Sequence, residues 1–490
     1  MHPSTVRAGA SLRRLTPAQW TLALLLIVGI ALRVLAAAAE WPIYPKLADS
    51  TAYAHYAENG VLGNPQHPAG YSIFLAFLGT VTREVAVPIV LHHLFGVATA
   101  LLLYASVLRL SGSRWFALLP AAVVLLSSDQ ILLEQSIMSE PLCTVLLAAA
   151  LYCATRALVG GDRWWAWPLA AGALTAASGT VRTQVLFLVP VLLLVLLLRR
   201  PRPLSWSAPL GAFAGLALVL VPFAVANRID HGRLEIAPAS GWHLYGRVGP
   251  FADCGQFTPP KGTEQLCTLA PSPRTIGNDW FIFYPDSPAI RTFGGLGEQD
   301  DKLLAWSRAV IIGQPRTYVT AVLKEMAAYF VPSVRRPLPY TGPDLGPELD
   351  WTRPDPGAPR NIEVMERFFD DFDVTENGDV TRFLGGYQEW GRFGSKLLTA
   401  CTLLIALGLA LGDRRHRLGI ALFGLGGLSM LLLPLFGGWF AGRYLVPNSG
   451  PIAAGAAIAL HALWLYGRAR WAAREGAGRE RPRAPAAATQ

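Results

Sequence analysis

Long apolar runs alternate with short polar connections along most of this chain. A helix needs about 20 mostly apolar residues to cross a bilayer. Ten runs predict such helices, several of them short: Trp20–Ala39, Pro88–Leu108, Trp115–Ser128, Ser139–Tyr152, Trp165–Val181, Val185–Leu198, Ala208–Ala226, Leu397–Leu411, Leu418–Phe436 and Tyr444–Tyr466. A smaller run, Tyr71–Val81, predicts a re-entrant or interfacial segment. The first span has too long an apolar core to read as a cleaved leader, and no small-residue site is followed by a soluble mature chain. The pattern changes at Asn227. From there to Ser395 the chain is polar and rich in Pro, Gly and Trp, which predicts a folded cap. Inside it, Leu303, Trp306, Val310, Tyr318, Val322 and Met326 recur at threes and fours, so Asp300–Val331 reads as helix. Val364–Phe383 predicts another short helix, and Pro337–Arg360 a loop. The expected architecture is an all-α polytopic membrane protein of about ten transmembrane helices with a large extracytoplasmic loop domain. Its parts are an N-terminal bundle (1–226), the cap (227–395), the closing helices (396–467) and a basic tail (468–490).

Composition supports this layout. Apolar residues make up 52% of the 490 and charged residues 15%, against about 25% charged in soluble domains. A disordered chain, a collagen and a small disulfide scaffold are excluded, and a soluble enzyme is disfavoured. The net charge of +9 is explained by where the arginines sit. Arg7, Arg13 and Arg14 precede the first span. Arg109 with Arg114, Arg156 with Arg163, Arg199 to Arg202, and Arg414 to Arg417 occupy alternate loops, and six more arginines lie in the tail. With ten alternating spans all of them fall on one side, which the positive-inside rule makes the cytoplasm. Both termini are then cytoplasmic, in a multi-pass plasma-membrane protein. The basic excess is a topology signal rather than a nucleic-acid footprint. The cap, on the opposite side, holds 17 Lys/Arg and 22 Asp/Glu, 17 − 22 = −5. Cys143, Cys153 and Cys401 fall in apolar runs. Cys254 and Cys267 lie in the polar cap on the oxidising side, so a disulfide is expected between them.

Ionisable residues gather in the loops assigned to the outer face. They include Asp49, Tyr53, His55 and His67 in the first outer loop, Asp129, Glu134 and Glu140 in the second, Arg182 in the third and Arg443 in the last. In a compact bundle such loops converge, and convergent carboxylates and cations in a half-buried site point to catalysis on a charged, lipid-linked substrate. Arg182 and Arg443 are candidates for binding the donor phosphate, because guanidinium pairs bidentately with phosphate; either could instead anchor at the headgroups. Glu134 and Glu140 could bind the acceptor or hold an arginine. Glu140-Pro141 also reads as a plain helix start. Arg33, inside the first span, is expected to pair with a carboxylate such as Glu40. Trp242-His243-Leu244-Tyr245-Gly246-Arg247 could stack on a sugar ring or simply pack. No nucleotide-sugar motif, phosphate-binding Gly loop or metal-ligand cluster at recognised spacing is visible. A requirement for a divalent metal is therefore left open.

Several of these stretches resemble the polytopic glycosyltransferases of the C superfamily, in particular the protein O-mannosyltransferase and lipid A aminoarabinose transferase group. The resemblance covers residues 20–223 best, and the last span. It is carried by Asp49-Ser50-Thr51-Ala52-Tyr53-Ala54, by His67-Pro68-Ala69-Gly70-Tyr71, by Met138-Ser139-Glu140-Pro141 and by Ile312-Gly313-Gln314-Pro315-Arg316-Thr317-Tyr318. It implies a bundle of that fold and a polyprenyl-phosphate sugar as donor. The acceptor would lie outside the cytoplasm (a cell-wall glycan, a glycolipid or a protein), and transfer would invert the sugar carbon. Asp49 matches the family's catalytic acidic residue and would be the general base, with Tyr53 one turn on as a substrate contact; Asp49 could also act only as a helix cap. His67 stands where the aminoarabinose enzymes carry a lysine that contacts the carrier phosphate. The mannosyltransferases often have Asp-Glu where this chain has Asp49-Ser50. The rival expectation is a non-catalytic lipid-carrier transporter or envelope-assembly scaffold.

Overall fold

A computed structural model describes residues 15–45, 49–160, 165–199, 206–237, 239–268, 278–331, 349–352, 358–370, 372–438 and 440–479. The basic tail beyond residue 479, the first fourteen residues and most of the expected 337–360 loop lie outside them. The chain is helical almost throughout. Helices α1 (Pro17–Ala39), α2 (Asp49–Asn59), α3 (Gly70–Gly79), α4 (Ala86–Ser111), α5 (Arg114–Leu126), α6 (Ser128–Glu134), α7 (Glu140–Val159), α8 (Ala166–Val181), α9 (Leu188–Leu197) and α10 (Ser207–His231) form the N-terminal part. The closing part holds α19 (Ser395–Leu411), the short helices α20 (Arg414–Ile420), α21 (Gly426–Ser429) and α22 (Leu432–Gly437), and the long α23 (Val446–Arg479).

Among the described residues, seven helical segments are long and apolar enough to cross a membrane, or eight if the bent pair α5–α6 is one span. That is fewer than the ten expected. The fifth and sixth expected spans are helical but short: α8 has 16 residues, and Thr183–Leu197 is a 3₁₀ turn leading into α9. Both are short because the chain breaks at Arg182, which has extended backbone. The third expected span is bent by 53° after Leu126, and Ser127 caps the second piece by accepting from Gln130 N.

The bundle packs α7 between α4 and α8, with α10 across α8 and α23 against α5 and α19. Lipid supplies little hydrophobic drive between helices, so close backbone approach carries the packing. Gly172 and Gly215 make that approach possible in α8 and α10. A Cβ on Gly172 would sit 1.8 Å from Ala212 O, and one on Gly215 2.1 Å from Leu169 O.

The bend at Ser127 frees backbone carbonyls inside the bundle, where each needs a partner. Arg33 supplies one. Its Nη1 donates to Leu125 O at 3.0 Å and Gly29 O at 2.9 Å. The same guanidinium pairs with Glu134, Nε to Oε2 at 2.8 Å and Nη2 to Oε1 at 2.9 Å. Arg33 therefore finds its carboxylate in α6, not at Glu40, because the bend turns α6 back toward α1. His93 Nδ1 lies 3.0 Å from Glu134 Oε2, and Gln130 Nε2 donates to Oε1 at 3.0 Å.

The segment expected as a cap divides between two apolar cores. Trp242, Tyr245 and Val248 of α11 (Ser240–Val248) pack with Leu266 of α12 (Gln265–Thr268), Phe281 of α13 (Asn278–Phe283), Ala289 of α14 (Pro288–Phe293) and Leu303, Trp306 and Val310 of α15 (Asp300–Gly313). Cys254 and Cys267 are joined there by a disulfide, Cα to Cα 6.0 Å. Helix α16 (Pro315–Ala328) follows α15 after a break. The single helix expected over 300–331 is split because Pro315 has no N–H to continue it and starts a new helix instead. Leu349, Trp351, Phe368 of α17 (Ala358–Phe368) and Leu384 of α18 (Gly378–Gly391) join the membrane bundle's core instead. Tyr44 OH donates to Asp350 O at 2.6 Å. Strand β1 (Glu40–Trp41) pairs antiparallel with β2 (Thr375–Glu376), Glu40 opposite Glu376. The helix expected over 364–383 is interrupted by that strand.

Candidate active site

Four distant stretches meet beside the first residue of α2. Asp49 opens that helix, and its side chain is 11% exposed. Arg443 Nη1 lies 2.6 Å from Asp49 Oδ2, and His67 Nε2 lies 3.5 Å from Oδ1. Burial alone would push the Asp49 carboxyl up. The Arg443 guanidinium and His67 outweigh it and hold the group well below the usual carboxylate range.

Local structure explains how His67 and the arginines are aimed. Asn64 Oδ1 accepts from the backbone N–H of Gln66 at 2.9 Å and of His67 at 3.0 Å. This side-chain turn fixes His67 just before Pro68 and α3. Arg443 sits in a 3₁₀ turn, Gly442–Leu445, that leads into α23. Arg182 occupies the matching place between α8 and the Thr183–Phe187 turn. Each arginine thus projects from a helix junction rather than from a helix face, Arg443 from the 3₁₀ turn itself and Arg182 from the extended residue before one.

Arg182 Nη1 donates to Glu140 Oε1 at 2.7 Å and to Ser139 Oγ at 3.1 Å. Ser139 Oγ is 2.9 Å from Tyr53 OH. The Tyr53 ring packs on His67 at 4.8 Å and edge-on to Tyr71 at 4.7 Å, and Tyr71 OH is 3.1 Å from His92 Nε2. Burial first, and the Asp49 and Glu140 charges after it, push the Tyr53 phenol up, so it stays a neutral donor. The two guanidiniums share one ring: Arg182 lies 5.4 Å and Arg443 5.7 Å from the centroid of Tyr444.

The structure therefore gathers Asp49, Tyr53, His67, Glu140, Arg182 and Arg443 into one cluster. Glu134 is elsewhere, in the Arg33–His93–Gln130 network, 0% exposed. Cys254 and Cys267 belong to the cap core. Sequence reasoning missed Ser139, Tyr444 and Tyr71 as site residues. Ser139 and Tyr444 are direct neighbours of the chosen Glu140 and Arg443, which was the available signal. His243 of α11 also lies within electrostatic range of His67; burial, with His67 adding to it, holds its imidazole below the usual range. A cavity of about 390 Å³ in the cap, lined by Glu264, Thr292, Phe293 and Lys302 among others, contains none of the expected site residues. Among the described residues, no three His, Cys, Asp or Glu side chains stand together as a metal site would require.

Residues 89–231, from α4 to the end of α10, match the family model described as dolichyl-phosphate-mannose-protein mannosyltransferase. This part of the chain resembles those mannosyltransferases. The match includes Glu140 and Arg182 and stops short of Asp49, His67 and Arg443. A solved structure, the S. cerevisiae protein O-mannosyltransferase Pmt1-Pmt2 complex bound to the sugar donor, is 18% identical with a TM-score of 0.35. The alignment covers 48% of this chain and 37% of that one, so the chain spans little more than a third of its length. No curated protein matches the chain significantly.

Proposed function

We propose that this chain is an integral-membrane glycosyltransferase that moves a monosaccharide from a polyprenyl-phosphate carrier to an extracytoplasmic acceptor. The observation that carries the reading is the meeting of Asp49 with Arg443, and through Tyr444 with Arg182, from three remote parts of the sequence. Two guanidiniums in a nearly buried patch, one paired with Asp49 and one with Glu140, suit an acceptor hydroxyl and a phosphate leaving group. The family matched over residues 89–231 is named for a dolichyl-phosphate-mannose donor, which supports a lipid-phosphate sugar and favours mannose.

In the donor-free state Arg443 is paired with Asp49. A carrier phosphate brings more negative charge than one carboxylate and competes for that guanidinium. With Arg443 drawn to the phosphate, Asp49 becomes a stronger base and takes the acceptor's hydroxyl proton. The acceptor oxygen bonds to the anomeric carbon as the carbon–oxygen bond to phosphate breaks, and the electron pair leaves with the phosphate. The sugar carbon inverts in this single displacement. Arg443 and Arg182 stabilise the phosphate as its charge grows. His67 holds the other Asp49 oxygen or the phosphate, and Tyr53 with Ser139 fixes Arg182 from behind. The positive-inside pattern supports a cluster outside the cytoplasm, where the cap would receive a cell-wall glycan, a glycolipid or a protein.

Sugar transfer from polyprenyl-phosphate mannose in proteoliposomes tests the reading. Asp49→Asn lowers kcat/KM by about 10²–10⁴-fold if Asp49 is the base. Undiminished transfer by that variant removes Asp49 from the role. No transfer by the wild-type protein from any polyprenyl-phosphate sugar favours a non-catalytic transporter or scaffold.

A further inference from the structure

The loop that delivers Arg443 is gripped from outside the membrane by α16. Glu325, 4% exposed, accepts from the backbone N–H of Phe440 at 3.1 Å. Tyr329, at the end of the same helix, donates its hydroxyl to Ala441 O at 3.3 Å and packs its ring 4.5 Å from that of Phe440. Three turns before Tyr329, Tyr318 OH donates to Phe436 O at 2.8 Å. Three side chains from one face of α16 therefore bind the backbone of residues 436–441, immediately before Arg443.

Glu325 is itself fixed. Its other oxygen pairs with Arg247 Nη1 of α11 at 2.5 Å, and Arg247 is 1% exposed. A buried ion pair of this kind adds little net stability but enforces one geometry. Here the enforced geometry is the path of the loop that precedes Arg443. Gly437, Gly438 and Gly442 give the loop wide backbone freedom, so something outside it must hold it in place.

We propose that Glu325, held by Arg247 and assisted by Tyr329, is a positioning residue that sets Arg443 against Asp49. This rests on the reading of Arg443 as a donor-phosphate ligand. Glu325 touches neither substrate nor the reacting atoms. It acts through one backbone N–H, that of Phe440, and the loop that carries it.

Two measurements test it. The first is a cryo-EM structure of full-length Glu325→Ala in nanodiscs. The expected result is a displaced 438–443 segment and an opened Arg443–Asp49 contact; an unmoved contact overturns the proposal whether or not the protein transfers sugar. The second is steady-state transfer from polyprenyl-phosphate mannose. Glu325→Ala and the milder Tyr329→Phe raise the donor KM, by about tenfold for the alanine variant. Glu325→Gln keeps one carbonyl for Phe440 N–H but turns its amide nitrogen toward Arg247, so it raises the donor KM by less than Glu325→Ala does. A merely structural role lowers the active fraction, and so the apparent kcat, with KM unchanged; that pattern in both Glu325→Ala and Tyr329→Phe refutes the proposal. If Glu325→Ala does not fold, Tyr329→Phe and Glu325→Gln decide it. Inactive wild-type protein would count against the transfer reading alone, and the structural measurement would still judge the clasp.

Discussion

Gly96→Ala is a one-carbon change that tests what Glu134 does. Gly96 lies in α4 opposite the buried carboxylate. A Cβ there would sit 1.9 Å from Glu134 Oε1 and 2.7 Å from Arg33 Nη2, far inside van der Waals contact. The carboxylate cannot swing aside, because Arg33 Nε and Nη2, Gln130 Nε2 and His93 Nδ1 all hold it. Forcing a methyl into a packed interior costs about 1–3 kcal/mol. Separating a buried pair costs about 3–5 kcal/mol, because each charge is left uncompensated. Side-chain exposures of 4% for Arg33 and 0% for Glu134 place this pair in the second class, so a loss of about 3 kcal/mol is expected. Reversible unfolding in mixed micelles, or thermal inactivation in one fixed detergent, reads the loss. Glu134→Asp withdraws the carboxylate by one carbon, so the Gly96→Ala/Glu134→Asp double variant regains part of it. The folded fraction of Gly96→Ala keeps the wild-type donor KM, since Glu134 stands outside the Asp49 cluster. A destabilisation below about 0.5 kcal/mol would refute the packing argument. A changed donor KM in correctly folded protein would return Glu134 to the substrate site.

Two further outcomes follow from the site and the cap. Arg443→Met removes a charge-assisted phosphate contact of about 1.5–3 kcal/mol, which lowers kcat/KM about 10- to 150-fold. It also leaves Asp49 with only His67 against burial, so its carboxyl pKa rises; the acidic limb of the transfer profile then moves to higher pH, and an unmoved limb excludes Asp49 as the titrating base. Replacing Cys254 and Cys267 by Ser opens a loop of sequence separation 13 and destabilises the cap by about 3 kcal/mol. Limited proteolysis reads this as faster cleavage between residues 250 and 310, with the bundle fragments intact.

Much of this arrangement was legible in the residues because it depends on local pattern. Apolar run length located helical residues in every expected span, though Trp115–Ser128 is bent and Leu418–Phe436 is broken into short helices; outer-loop chemistry picked out Arg182 and Arg443, and the family resemblance Asp49 and His67. What was not legible depends on where a helix breaks. The turn at Ser127 sends α6 back toward α1, and that alone decides that Arg33 meets Glu134 instead of Glu40. Extended backbone at Arg182 shortens two expected spans and aims the arginine at Glu140. Residues 349–393 look like the rest of the cap by composition, yet Trp351 and Phe368 pack into the bundle's core, because β2 ties them to β1 beside the first span. Hydropathy averaged over a window carries no information about which of two cores an aromatic side chain joins. The α15–α16 break is different: Pro315 marks it in the sequence, but the apolar period runs unbroken across it and so predicts one helix.

Asp49 belongs to the first outer loop and Arg443 to the turn before the last span. During synthesis the acid is therefore made before its cation. A nascent chain that has inserted α1 to α10 holds Asp49 without the Arg443 guanidinium, and the pair can close only once the turn before α23 has been made. On the reading of Asp49 as the base, a bundle that lacks that turn carries the carboxylate without its partner.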